Sequence, residues 1–246
     1  MLSISLVFPA YNEEENIAFA VQKAKKVLSS VADNWEIIIV NDGSRDGTCQ
    51  IINQLSHLDS RIKPIHHHAN LGYGAALKSG ITSAKYDLIF FCDSDLQFDI
   101  GELPVFIELI RDCDIVIGYR VKRQDPLYRK LNAWCWNLLI RRCLGLKVND
   151  IDCAFKLFKR EVFDTILIDA IGAMVNTDIL VQAHRCGFHI KEQPVTHYPR
   201  HRGKQTGANI RVIIKAFNEL FKLYIKLNNT GHPYQLIKEI KKEDRL

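Results

Sequence analysis

Three acidic segments stand out for the chemistry their side chains could do: Pro9-Ala-Tyr-Asn-Glu13, Val40-Asn-Asp42-Gly-Ser-Arg-Asp46-Gly-Thr48 and Cys92-Asp93-Ser-Asp95-Leu-Gln97. Asp93 and Asp95 place two carboxylates in one short loop. These are the hard oxygen ligands that Mg²⁺ or Mn²⁺ takes, with phosphate oxygens able to complete the octahedron. An isolated Asp-x-Asp is more often a turn or a helix cap. Here each acidic segment follows an apolar run of strand length, and strand ends at the same edge of one sheet converge on one site. Asp42-Gly-Ser suits a sharp turn and can cap a helix starting near Asp46. The run His66-His67-His68 carries no such signal. Consecutive strand residues point to opposite faces and do not meet on one ion, so this run reads as strand-end polar surface.

The elements that must position these loops alternate in period. Strands are predicted at Ile4–Phe8, Glu36–Val40, Ile62–His66, Leu88–Cys92 and Ile115–Gly118, with helices at Glu14–Leu28, Asp46–Leu55, Tyr73–Ala84 and Leu103–Ile110. That alternation is the pattern of βαβ units around a mainly parallel sheet flanked by helices, a Rossmann-like α/β fold. After Tyr119 it breaks. A basic stretch, Arg120–Arg129 with Lys122 and Arg123, precedes a helix-like Leu131–Leu146 that holds Trp134 and Trp136. These rings suit sugar stacking, a lipid interface or core. A strand at Phe155–Phe158, a helix near Asp178–Cys186, a strand at Ile190–Val195 and a basic loop at Arg200–Gly207 follow. The last helix, Ala208–Leu227, is amphipathic, which fits docking on the protein's own core or lying in a membrane interface.

With 246 residues, 47% hydrophobic and 25% charged, the chain can bury the core of one α/β unit. Residues 1–118 hold 9 Lys+Arg against 16 Asp+Glu, and residues 119–246 hold 24 against 12. An acidic front suits a cation; a basic back suits an anionic partner. The seven cysteines are odd in number and form no Cys-x-x-Cys pair, as expected of reduced thiols in a cytoplasmic protein. Met1 runs directly into an apolar strand with no basic leader, so no signal peptide is expected. No apolar run reaches the roughly 18 residues of a spanning helix. Membrane contact is therefore expected to be peripheral, on an anionic surface.

Together the three loops resemble those of the family 2 glycosyltransferases with the A-type nucleotide-sugar fold. Within that family they are most similar to the dolichol-phosphate mannose synthases and bacterial polyprenyl-phosphate glycosyltransferases. The likeness runs from Pro9 to about Gly207 and includes Gly118-Tyr-Arg120, Asp150-Ile-Asp-Cys-Ala-Phe155 and Pro194-Val-x-x-x-x-Arg200-x-x-Gly203. It implies that Pro9, Tyr11 and Glu13 line the nucleoside pocket, with Val40 and Asp42 beside base and ribose and Asp42 accepting from a ring N–H. It implies Asp93, Asp95 and Gln97 as metal ligands, Ser94 in the same donor-binding loop, and Arg120 and Arg200 on phosphates. Asn70-Leu-Gly72-Tyr-Gly74 resembles the family's Gly-rich helix start near the donor. Two positions depart from the pattern. Thr206 stands where the mannose synthases carry a phosphate-contacting lysine, with Lys204 nearby, and Ala154 replaces a glycine.

The expected organisation is a catalytic domain over residues 1–207, with 1–118 as the nucleotide-sugar and metal half and 119–207 as the acceptor half. Residues 208–246 form a C-terminal helical extension. The resemblance implies inverting transfer of a hexose-type sugar from a GDP- or UDP-linked donor to an acceptor, foremost a polyprenyl phosphate. A phosphate is ionised near neutral pH, so its attack needs no strong base; Asp93, Asp95 and Arg120 then carry the catalysis. A glycan or protein hydroxyl as acceptor would need a carboxylate base, for which Asp178 and Asp150 are candidates. A non-catalytic membrane- or nucleic-acid-binding protein is the reading from another class. The paired metal carboxylates argue against it, and no nucleic-acid partner is expected.

Overall fold

Seven of the eight residues in the first strand, Ser3–Ala10 (β1), are buried, so this strand must be covered on both faces. The second, Asn34–Asn41 (β2), has the same character. Parity then sorts the side chains into two layers. Ile4, Leu6, Phe8, Ile37, Ile39 and Phe90 face one layer with Ile17, Val21 and Leu28, while Val7, Ile38, Val40, Ile89 and Phe91 face the other with Leu77, Ile81 and Leu180. The computed structural model describes residues 1–121, 140–142, 144–170, 172, 174–200, 219–220 and 225. The expectations for Lys122, Arg123, Arg129, Trp134, Trp136, Gly203, Lys204 and Thr206, the boundary at 207 and nearly all of the last helix lie outside these residues.

The remaining strands are Ile62–His66 (β3), Leu88–Cys92 (β4), Ile115–Arg120 (β5), Phe155–Lys159 (β6) and Ile190–Val195 (β7). Helices Ile17–Val31 (α1), Thr48–Leu58 (α2), Tyr73–Ser83 (α3), Leu103–Leu109 (α4), Arg160–Thr165 (α5) and Val175–Arg185 (α6) cover the sheet. The strand order is β3-β2-β1-β4-β6-β5-β7. All neighbours pair parallel except β6, which runs antiparallel to both β4 and β5. The expected α/β architecture with a mainly parallel sheet is thus observed, with one reversed strand that periodicity does not reveal. Helix α3 sits unusually close to the sheet: a Cβ on Gly80 would come within 2.3 Å of a Val7 methyl.

Two helices begin later than their periodicity suggests, because polar groups claim the first turn. Glu13 through its carbonyl accepts from the N–H groups of Asn16 and Ile17, and the Glu14 carboxylate accepts from Gly47 N–H at 2.7 Å, so α1 starts at Ile17. Asp46 accepts from both the N–H and the hydroxyl of Thr48, which opens α2. Helix α6 instead starts three residues before Asp178. Cys49, Cys92, Cys113 and Cys153 are free thiols.

Candidate functional site

The order β2-β1-β4 puts the ends of three parallel strands side by side, and chain direction reverses its progress across the sheet between β1 and β4. Such a switch point opens a crevice at the carboxyl edge of a sheet. The Ser94 hydroxyl donates to the Pro9 carbonyl at 2.9 Å, joining the Asp93–Asp95 loop to the end of β1. The β1 and β2 loops are laced together as well: Asn12 N–H donates to the Ser44 hydroxyl, Arg45 N–H to the Asn12 side chain and Glu13 N–H to the Thr48 hydroxyl. Each of the acidic loops holds one residue in left-handed backbone: Asn12 (φ 55°), Gly43 (φ 68°) and Leu96 (φ 65°). Gly43 also lies so near residue 69 that a Cβ would come within 2.4 Å of that backbone. Leu96 lacks glycine's freedom, so the turn after Asp95 is strained, as loops built around ligands often are.

Arg200, 105 residues after Asp95, reaches the same edge. It is delivered by a short ladder in which Phe98 bridges His197, Tyr198 N–H donates to the Gln97 carbonyl at 2.7 Å and the Gln97 amide donates to the Tyr198 carbonyl at 3.1 Å. Its guanidinium donates to Glu13 at 2.5 Å and lies 3.5 Å from an Asp95 oxygen. Arg200 thus clamps the loops after β1 and β4.

The electrostatics are those of crowded carboxylates. Burial, then repulsion from Asp95, pushes Asp93 up to about 7; the Tyr73 hydroxyl, Arg120 and Lys156 pull the other way. Burial also raises Asp95, against the Gln97 N–H and Arg200, and raises Glu13, against Asn16 and Arg200. Among the described residues no group of three or more His, Cys, Asp or Glu side chains surrounds one point. The loop therefore offers two carboxylates to a cation and leaves the other positions to a ligand. Raised, mutually repelling carboxylates beside a buried hydroxyl that has no partner among the described residues fit a hard divalent ion. Two clefts of about 620 and 560 Å³ open at the opposite edge of the sheet, beside Ile190 and Ser3, and hold none of these side chains.

Arg120 ends β5 and is gripped by Asp150, with Nε to Oδ2 at 2.6 Å and Nη2 to Oδ1 at 2.8 Å. Burial opposes the Arg120 charge, but Asp150 outweighs it and raises the guanidinium's pKa further. The antiparallel direction of β6 brings the segment before it, with Asp150 and Cys153, to this edge. Lys156, which the sequence reading passed over, is fully buried on β6 opposite Phe91. It donates to the Cys153 carbonyl and to Asn176 Oδ1, and burial lowers its pKa. The sequence cue was a lysine flanked by Phe155 and Leu157 within a strand-length apolar run.

Several expected roles are redrawn by these contacts. Asp42, 3% exposed, accepts from the His67 ring at 2.7 Å and from the N–H groups of Leu71 and Gly72 at 2.9 and 2.8 Å, so its carboxylate organises the Gly-rich loop. His67 is not surface: it links Asp42 to the Ser79 hydroxyl, while His66 turns the other way to Asn53. The two rings do diverge, as the strand argument requires. Val40 is fully buried beneath α3, so its side chain cannot line an open pocket. Tyr11 remains partly exposed beside Asn12. Asp178, 1% exposed, accepts from Asp169 N–H, Ala170 N–H and the Gln182 amide, so it is not available as a general base.

Comparison with known proteins places these features in context. The family model described as Glycosyl transferase family 2 matches residues 5–167. Dodecaprenyl-phosphate galacturonate synthase of Rhizobium johnstonii is 30% identical over 244 residues, covering 94% of this chain and 70% of that protein. Undecaprenyl-phosphate 4-deoxy-4-formamido-L-arabinose transferase of Salmonella choleraesuis is 31% identical over 212 residues, and the chain spans 64% of its length. Among solved structures, glucosyl-3-phosphoglycerate synthase of Mycobacterium tuberculosis in complex with Mn²⁺, UDP-glucose and phosphoglyceric acid superposes with a TM-score of 0.66. It covers 91% of this chain and 80% of that one at 20% identity, a likeness of fold.

Proposed function

The chain belongs to glycosyl transferase family 2, and on that footing we propose that it transfers a hexose-type sugar, with inversion, from a GDP- or UDP-linked donor to a polyprenyl phosphate. The reading rests above all on one observation: Arg200 spans Glu13 and Asp95 at the switch-point edge, where Asp93 and Asp95 stand together. Asp93 and Asp95 would hold Mg²⁺ or Mn²⁺, which when bound neutralises the diphosphate as it leaves. The Mn²⁺ and UDP-glucose named with the fold neighbour support this choice.

The chain's own residues supply position and charge. The β1 and β2 loops form the nucleoside side, with Asp42 holding the loop that leads into α3. Arg200 presents a planar fork of the kind that pairs with phosphate oxygens. Arg120, held by Asp150, adds a second fixed cation at the edge. An acceptor phosphate oxygen attacks the anomeric carbon opposite the leaving group, forming one C–O bond as the bond to the nucleoside diphosphate breaks. No proton has to leave that nucleophile. This suits a site in which Asp150 is committed to Arg120 and Asp178 is sealed in the core. The names of both curated relatives point to the same acceptor class.

Among the described residues no helix is long and apolar enough to cross a membrane. Access to a lipid phosphate then rests on the basic half of the chain at an anionic surface, a contact that salt weakens. The test is to incubate the purified protein with Mn²⁺, a panel of UDP- and GDP-sugars, and polyprenyl phosphate in anionic liposomes, measuring nucleotide release. Release is expected only with the lipid phosphate present, together with co-sedimentation that falls as ionic strength rises. Transfer to soluble hydroxyl acceptors alone, with no liposome binding at low salt, would overturn the acceptor.

A further inference from the structure

Tyr73 has no part in the scheme above, yet its buried hydroxyl lies next to the Asp93 carboxylate. It opens α3 directly after Gly72, whose φ of 103° turns the chain and whose N–H is held by Asp42. Its ring packs on both core layers. The hydroxyl itself is buried, with no hydrogen-bond partner among the described residues. It stands beside the Asp93 carboxylate, which it favours in the ionised form as a hydrogen-bond donor does, and beside the Asn176 amide, with neither contact in full hydrogen-bond geometry. A buried hydroxyl left without a partner is destabilising, and phenylalanine would fill the same space without that cost.

The neighbours impose a direction on this group. Lys156 is a donor only, and its ammonium occupies the Asn176 carbonyl oxygen at 3.1 Å. The Asn176 side chain is therefore left with its NH₂ to offer, which directs it toward the Tyr73 oxygen. The Tyr73 proton is then left for a carboxylate, and the carboxylate beside it is Asp93.

We propose that Tyr73 is a positioning residue for Asp93, donating its O–H to that carboxylate when a divalent cation is held, with Lys156 and Asn176 setting the orientation. The inference rests on the cation reading of Asp93 and Asp95 given above. Ligands to a metal are commonly held by such a second hydrogen bond, and losing one weakens metal affinity about tenfold or more.

Tyr73→Phe removes the hydroxyl alone. Two quantities are measured: Mn²⁺ binding by electron paramagnetic resonance with UDP and, separately, GDP present, and the melting temperature of the metal-free protein. The variant is expected to melt at or above wild type while its Mn²⁺ affinity drops about tenfold. In an Asp93→Asn background the same change should add nothing to the loss. A hydroxyl with a merely structural role would do the reverse, lowering the melting temperature and leaving Mn²⁺ affinity intact, and that result overturns the inference. If wild type binds no Mn²⁺ with either nucleotide, the cation reading falls and the inference with it. Normal wild-type binding with an unaffected Tyr73→Phe removes the inference only.

Discussion

Replacing Asp93 by Asn should stabilise the metal-free protein, and do so increasingly as pH rises. In the fold the Asp93 carboxyl keeps its proton to about pH 7, while an unperturbed aspartate loses it near 3.8. Between those values the native state binds more protons than the unfolded chain, so its stability falls as pH rises through that window. Arg120, Lys156 and the Tyr73 hydroxyl act in the opposite sense and are already part of the net rise. The gap between 3.8 and about 7 corresponds to about 4 kcal/mol once both states are ionised, as at pH 8. At pH 5 only about 2 kcal/mol of this has appeared. The substituted asparagine carries no charge and escapes the penalty, and distant groups titrate alike in both proteins. Urea unfolding in EDTA at pH 5, 6, 7 and 8 should therefore show the variant's advantage widening by about 2–3 kcal/mol across the range. Saturating Mn²⁺ with nucleotide at pH 8 should raise wild type and leave the variant behind. An advantage that is constant with pH, or absent at pH 8, would refute the argument that burial and Asp95 crowd this carboxylate.

Two further predictions follow from contacts at the same edge. Arg120→Ala leaves Asp150, 6% exposed, without its guanidinium, so unfolding free energy should drop by about 3–5 kcal/mol; urea titration of that variant and of Arg120→Ala/Asp150→Asn should show the second change restoring much of the loss. Asp42→Ala frees the N–H groups of Leu71 and Gly72, so nucleotide affinity should weaken by about 1–3 kcal/mol and hydrogen exchange at those two amides should accelerate. Unchanged protection there would mean that other contacts hold the loop.

The alternation of apolar runs and helical stretches was enough to place β1 to β5 and the helices between them within a few residues. It also put Glu13, Asp42, Asp93 and Asp95 at strand ends. Those inferences rest on local information, because strand and helix periods and the positions of Gly, Asp and Asn are written along the chain. Direction and pairing are not. Nothing in Phe155–Lys159 says that it runs antiparallel between β4 and β5, since a strand buried on both faces reads alike in either direction. Yet that reversal brings Asp150 to Arg120 and buries Lys156 behind Phe91.

The sequence also marked Arg200 as a phosphate contact by resemblance, but its grip on Glu13 and Asp95 depends on a ladder between residues about a hundred positions apart. Asp42 and His67 show the same limit at shorter range. The resemblance implied a base contact for Asp42, and strand alternation implied polar surface for the histidines; only the fold of the loop after β3 made Asp42 the anchor of that loop and His67 a link to Ser79. Local sequence thus determined which residues lie at the carboxyl edge of the sheet. Tertiary structure decided which of them face one another, because charge pairing and burial depend on distances across strands that share no sequence neighbourhood.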